Sequence, residues 1–290
     1  DKIIARLTEH ASSAPGKEKC RALLPLASIA EIEAMQDETA AALSRIFAKG
    51  SISFGNTVDI RGSVKRLEIG SSLSIHELLV ICKMLENTAL VRAYGRKERE
   101  DTPDDCLSGM FGALDPLTGD TAEIRRCIIS EEEISDNASS NLRSIRRNIK
   151  SAGERIRNEL SRIIAAHAKD YLQDSLVTTR DGRYCIPVKA EYKGDVQGVV
   201  HDMSSSGSTF FIEPASVVKL NNDIRALEVK EAEEIEVILA RLSESLAASE
   251  GLLRSDYEIM AGLEFIFARA SLALEENATR PILSSDGVID

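Results

Sequence analysis

Residues 141–164 read NLRSIRRNIKSAGERIRNELSRII, and their spacing decides what kind of molecule this is. Leu142, Ile145, Ile149, Ala152, Ile156, Leu160 and Ile163 recur every three or four positions, the period of one buried stripe on a helix. The pattern begins near Asn137, contains no proline and runs to Leu172, which at ~1.5 Å per residue is about 54 Å of helix. A second pattern extends from Val217 to Ala273, with Ile224, Leu227, Ile235, Ile238, Leu242, Leu246 and Leu253 on its stripe. Two such helices, separated by residues 173–216, bury narrow stripes only against each other or against a partner, so an antiparallel coiled-coil hairpin is expected. Gly153 and Gly251 interrupt the two patterns as bending points or as plain helical glycines.

Charge fits that pairing. Residues 141–162 hold seven basic side chains (Arg143, Arg146, Arg147, Lys150, Arg155, Arg157, Arg162) against Glu154 and Glu159. Residues 225–244 reverse the balance, with Arg225, Lys230 and Arg241 against six glutamates. Opposite flanks set orientation in coiled coils, though each exposed pair contributes only about 0.2–1 kcal/mol. The Arg-rich helix therefore reads either as a solvated face matched to its acidic neighbour or as a nucleic-acid stripe.

Between the arms the texture turns to strand. Val177, Thr178 and Thr179, then Asp181-Gly182, then Tyr184, Cys185 and Ile186 spell a hairpin with an Asp-Gly turn. Residues 196–200 and 208–212 are two further strands, joined by the small polar run His201-Asp202-Met203-Ser204-Ser205-Ser206-Gly207. Pro187 and Pro214 are expected to confine these strands to edges.

Upstream, residues 1–127 are punctuated helices. Ser28 with Glu31, and Ser74 with Glu77, form capping boxes; Gly50 and Gly95 stop the helices that follow. Val58, Ile60, Val64 and Leu67 predict a shorter helix between them, and residues 109–119, with Pro116, a loop. Glu131, Glu132 and Glu133 are expected at a helix N-terminus, favoured by the macrodipole.

Totals bound the function. The chain has 290 residues, 43% of them hydrophobic and only 4% aromatic with no Trp, which suits helix packed on helix, as two domains or one domain with a long projection. A formal charge of −11 repels phosphate at long range, so any nucleic-acid contact is local. No signal region opens the chain and no apolar run is long enough for a membrane span, which predicts a cytoplasmic protein without membrane association. Cys20, Cys82, Cys106, Cys127 and Cys185 are odd in number and form no C-x-x-C pair; all are expected as buried thiols. The chain opens at Asp1 inside a helical pattern and closes on Gly287-Val288-Ile289-Asp290, which reads as an excised fragment.

Residues 181–192 (DGRYCIPVKAEY) and 200–214 (VHDMSSSGSTFFIEP), with Leu73-Ser74, Leu114-Asp115-Pro116 and residues 263–270 (LEFIFARA), closely resemble the second bacterial family of MutS paralogues. The resemblance covers nearly the whole chain. It implies a mainly α protein: a multihelical core with a long antiparallel two-helix lever carrying a small β-rich clamp module at its tip. The expected divisions are 1–130 helical core, 131–175 ascending lever helix, 176–215 β clamp module, 216–275 descending lever helix, and 276–290 linker toward an absent ATPase domain.

For the whole protein the resemblance implies a homodimeric ATPase with a nuclease-like domain, ATP and Mg being held by the absent part. It further implies action on branched or double-stranded DNA, suppressing recombination, or on stalled ribosomes. The chain itself shows no G-x-x-x-x-G-K-[ST] phosphate loop, Gly16-Lys17 lacking the earlier glycine, so neither catalysis nor a cofactor or metal site is expected of it. Arg180, Arg183, Lys189 and Lys193 are the expected phosphate contacts, with Ser204, Ser205 and Ser206 as hydrogen-bonding companions. Asp181, Glu191, Asp195, Asp202 and Glu213 cancel those four cations, so isolated binding is expected to be feeble and dependent on dimeric presentation.

Two decoys are set aside. His201-Asp202 beside the serines lacks a G-x-S-x-G elbow, and orders the strand connection or touches nucleic acid. Phe211-Ile212-Glu213 spells the mismatch wedge of MutS but lies beside Pro214, in a packed strand. The rival reading is a coiled-coil dimerisation and protein-interaction scaffold with no nucleic-acid contact.

Overall fold

A computed structural model describes residues 2–55, 57–96, 104–167, 171–173 and 177–283. In chain order the elements are α1 (Lys2–Glu9), α2 (Ala14–Arg21), α3 (Ile29–Lys49), α4 (Arg61–Glu68), α5 (Ile75–Gly95), α6 (Ser108–Ala113), α7 (Thr118–Cys127), β1 (Ile128–Ser130), β2 (Glu133–Ile134) and α8 (Ser140–His167). There follow β3 (Thr178–Arg180), β4 (Arg183–Lys189), β5 (Gly198–Met203), β6 (Thr209–Pro214), α9 (Val218–Ala247) and α10 (Glu250–Glu275). The chain is thus mainly α, with two small antiparallel sheets. It divides into two compact units, one of the described residues up to Glu133 and from Leu239 onward, the other Ile134–Ile238. No helix among the described residues is long and apolar enough to cross a membrane.

The larger unit is multihelical. Its core joins Ala42 of α3, Val91 of α5 and Phe111 of α6 to Met260, Leu263, Ile266 and Phe267 of α10. Phe267 is the aromatic centre, edge-on to Phe111 at 6.2 Å and to Tyr94 at 5.9 Å. Ser74 and Glu77 make the reciprocal capping box that starts α5, whereas Ser28 makes only one of the two expected bonds at α3, accepting from Glu31 N at 3.4 Å. Gly16, the glycine of the Gly16-Lys17 pair, is buried in α2 against Glu264, whose carboxylate accepts from the backbone N–H groups of Ser12 and Ser13 at 2.6 and 2.8 Å.

In the smaller unit α8 and the first part of α9 run antiparallel. Arg146 reaches Glu231 at 2.6 Å, and Ser139, just before α8, donates to Glu234 at 2.7 Å. Further along, Ile156, Leu160 and Ile164 of α8 share one apolar cluster with Val217, Ile224 and the strand residues Ile186, Val188 and Ile212. The four-stranded sheet has the order β3-β4-β6-β5, antiparallel throughout.

Several sequence expectations need correction. The 217–273 pattern is two helices: α9 ends at Ala247 and α10 begins at Glu250. Ser249 and Gly251, both poor helix formers, lie at the break, and the seven-residue step from Leu246 to Leu253 keeps the stripe in phase across it, so periodicity does not register the interruption. Residues 109–119 are a loop only at 114–117, around Pro116: α6 takes 109–113 and α7 begins at Thr118, because burying Phe111 outweighs the poor propensity of the glycines.

Leu172 lies outside the first long helix, which is described over Ser140–His167, and bridges to Val188. Glu131, Glu132 and Glu133 lie in the β1–β2 turn and on β2, not at a helix N-terminus. Pro187 and Pro214 are not confined to edges, since β4 and β6 are both interior strands. The Pro187 carbonyl accepts from Gln173 N at 3.1 Å. In an antiparallel strand a residue's N and O point the same way, so its missing N–H costs nothing in the pairing with β6. Cys106 is exposed; the other four cysteines are buried.

Candidate functional site

The site is built on the β3–β4 hairpin. A two-residue turn requires left-handed backbone at both positions, and Asp181 (φ 49°) and Gly182 (φ 71°) supply it, setting Arg180 opposite Arg183. On the opposite side of the sheet Gly198 opens β5 where only a glycine fits, since a Cβ there would stand 2.2 Å from the Glu213 carbonyl oxygen.

That close approach carries Glu213 inward. Its side chain is 1% exposed and takes hydrogen bonds from Arg183 Nη1 at 2.8 Å and Asn221 Nδ2 at 2.8 Å, with His201 Nε2 at 2.6 Å from its other oxygen. Burial alone would raise the carboxyl, but the bonds from His201, Asn221 and Arg183 outweigh it and hold Glu213 below the usual carboxylate range. Asn221 closes the network by accepting from Tyr184 N at 3.1 Å, and Arg183 also donates to Asn222 at 2.7 Å. The residue of the apparent mismatch wedge is therefore a buried hub locking β4, β5 and β6 to the start of α9. His201 orders the strands by bonding Glu213 across them; Asp202 turns instead to Arg180 at 3.0 Å.

The seven expected contact residues do not form one surface. Arg183 is committed to Glu213 and Asn222. Arg180 is held by Asp202, donates to Thr178 Oγ1 at 2.8 Å and lies 3.8 Å from the centroid of the Phe211 ring. These two flank the Asp181-Gly182 turn, Arg180 ending β3 and Arg183 opening β4. Lys189 lies at the other end of that strand, paired with Thr209, and Lys193 sits over the Phe210 ring at 4.3 Å. Ser204 and Ser206 belong to the β5–β6 turn near Lys189: Ser204 Oγ accepts from Thr209 N at 3.1 Å and Ser206 Oγ is 2.7 Å from Ser208 Oγ. Ser205 is exposed in the same turn. Sequence reasoning missed Glu213, Asn221 and Asn222 as a network; the signal present was a lone carboxylate directly after the apolar run Phe210-Phe211-Ile212, followed by an Asn-Asn pair early in a helix.

The matched-charge reading of α8 is realised at one point. Arg146 pairs with Glu231 and with Asp136 at 2.6 Å each. Arg147, Lys150 and Arg155 are exposed and reach no carboxylate among the described residues. Gly153 is buried within unbroken α8, where an added Cβ would stand 3.2 Å from Tyr184 Oη. Gly251, by contrast, sits in the first turn of α10, beside the helix break.

No family model matches the chain. Among individual proteins it is 45% identical, over its full length, to a protein named Endonuclease MutS2 from Agathobacter rectalis. It is 50% identical over its full length to one of the same name from Lachnospira eligens, and 48% identical over 97% of its length to one from Lachnoclostridium phytofermentans. The chain spans 36–37% of the length of these relatives.

Proposed function

This chain belongs to the Endonuclease MutS2 family, and on that premise we propose that it is the lever and clamp part of a dimeric, ATP-driven MutS-like protein that engages branched DNA or stalled ribosomes. The observation that carries the reading is the construction of the smaller unit. An apolar cluster joins antiparallel α8 and α9 to a four-stranded sheet, and the buried Glu213 network ties that sheet to α9. A sheet packed on two helices and fixed to one of them by interior polar bonds moves with them, which is what transmitting a domain motion to a nucleic-acid clamp requires. The ATPase and nuclease chemistry belongs to other parts of the full-length protein in this proposal, and this chain supplies grip and linkage. Exposed Val199, Val200 and Met203 on edge strand β5 favour the rival, a protein-interaction scaffold.

The test uses a dimeric full-length protein titrated against branched DNA and against ribosomes, comparing wild type with Lys189→Glu plus Lys193→Glu. These two are chosen because changing Arg183 would break the Glu213 network and confound folding with binding. A loss of about tenfold or more in affinity for either partner supports the clamp, as each lost phosphate contact also flattens the salt dependence. Unchanged affinity for both favours the scaffold.

A further inference from the structure

Helix α8 carries a run of cations that the fold leaves uncommitted. At 3.6 residues per turn, Arg143, Arg147, Lys150, Glu154 and Arg157 fall within about an 80° sector of its surface, and the four cations span about 21 Å along its axis. All five are exposed. Arg143 donates to the neutral side chain of Asn137, and Arg157 stands 5.7 Å from the Tyr184 ring centroid; neither contact neutralises charge. Of the α9 carboxylates that bond to this end of α8, Glu231 is paired with Arg146, and Glu234 accepts from the neutral side chains of Ser139 and Asn141 rather than from the stripe. Glu154 is the one carboxylate within the stripe, leaving a surplus of three positive charges on a chain whose net charge is −11.

We infer that this face of α8 binds the phosphodiester backbone of a double-stranded nucleic acid, placing the main electrostatic contact on the helix rather than on the sheet. The argument is charge complementarity and shape. A straight helix presents its cations in a line, and a duplex presents about one negative charge per 1.7 Å of axis, so about 21 Å of α8 meets more phosphates than it has cations. Of the four basic residues of the sheet module, by comparison, Arg180 and Arg183 are paired with Asp202 and Glu213, which leaves Lys189 and Lys193. Arginines without base-edge neighbours position a duplex without reading its sequence. The inference rests on the nucleic-acid reading proposed above, but it assigns that role to different residues.

The 290-residue chain is titrated by fluorescence anisotropy onto a labelled duplex DNA and onto a duplex RNA of the same sequence, at salt from 50 to 200 mM. Four cations predict a log–log salt slope near about −3.6, and Arg143→Gln with Arg147→Gln and Lys150→Gln removes about 2.7 of it, weakening binding at 50 mM by about tenfold or more. Lys2→Gln with Lys65→Gln and Lys83→Gln, removing the same charge from exposed positions of the larger unit, is expected to change binding less than twofold. Arg143→Lys with Arg147→Lys should retain binding, which separates lost charge from lost folding. Which duplex binds more tightly identifies the source of the backbone.

If the two charge-removing variants weaken binding equally, or if the chain binds neither duplex at 50 mM salt, the stripe is not a duplex site. The clamp proposal then still stands or falls on Lys189 and Lys193 in the dimer. If instead only a polyglutamate peptide is captured, the stripe serves an acidic protein and the inference is overturned.

Discussion

Glu213 and Asp256 are both 1% exposed, yet burial has opposite outcomes for them. Glu213 has three side-chain partners and stays ionised. Asp256 accepts from Asp115 N at 2.9 Å through one oxygen, and its other oxygen has no partner among the described residues, so burial pushes its carboxyl up to about 7, partly countered by that bond and by Arg92. Because the folded-state value lies above the unfolded one, this group's contribution to stability is complete below about pH 4 and is lost as pH rises toward 7. A shift of about three units corresponds to about 4 kcal/mol at most. Urea unfolding at pH 4.5, 5.5, 6.5 and 7.5 should show the larger unit weakening across that window, and Asp256→Asn should remove most of the trend. A wild-type stability that is flat or rising over the same window would contradict the assignment.

At the scale of elements, some local signals hold and others do not: Ser28 makes only half of its expected capping box, and Glu131, Glu132 and Glu133 start no helix. The Ser74–Glu77 capping box depends on residues three apart, and the Asp181-Gly182 turn on two adjacent backbone conformations; both are present as expected. Substituting Ser74 by Ala should cost about 1 kcal/mol, whereas Ser28→Ala, which removes one long bond on an exposed helix end, should cost less. Thermal melts of the two variants against wild type measure the difference. Three other departures have causes that are not the local signal alone. Residues 109–113 are helical because Phe111 has a core to enter, and α9 is separated from α10 by a break that leaves the apolar phase intact. Pro187 sits in an interior strand because segment 171–173 occupies the side on which it lacks a donor.

At the scale of the whole molecule, two units with separate clusters predict separable responses. Glu213→Ala leaves Arg183 and Asn221 without their buried partner and should destabilise the smaller unit by about 3 kcal/mol. Hydrogen exchange should then rise in residues 178–224 while the α3, α5 and α10 amides keep their protection; a uniform rise would mean that the two units unfold as one. The sequence by itself determined the helical stripes, the strands between them, the caps and the hairpin turn, because each depends on neighbours within a few residues along the chain. It also carried, in its motifs, the family to which the chain belongs. Only the tertiary structure decided which charges are spent inside and which are left over. Arg183 and Arg147 look alike as letters, but one meets a buried carboxylate thirty positions away and the other meets no carboxylate among the described residues, and charge pairing depends on distances in space that spacing along the chain does not encode.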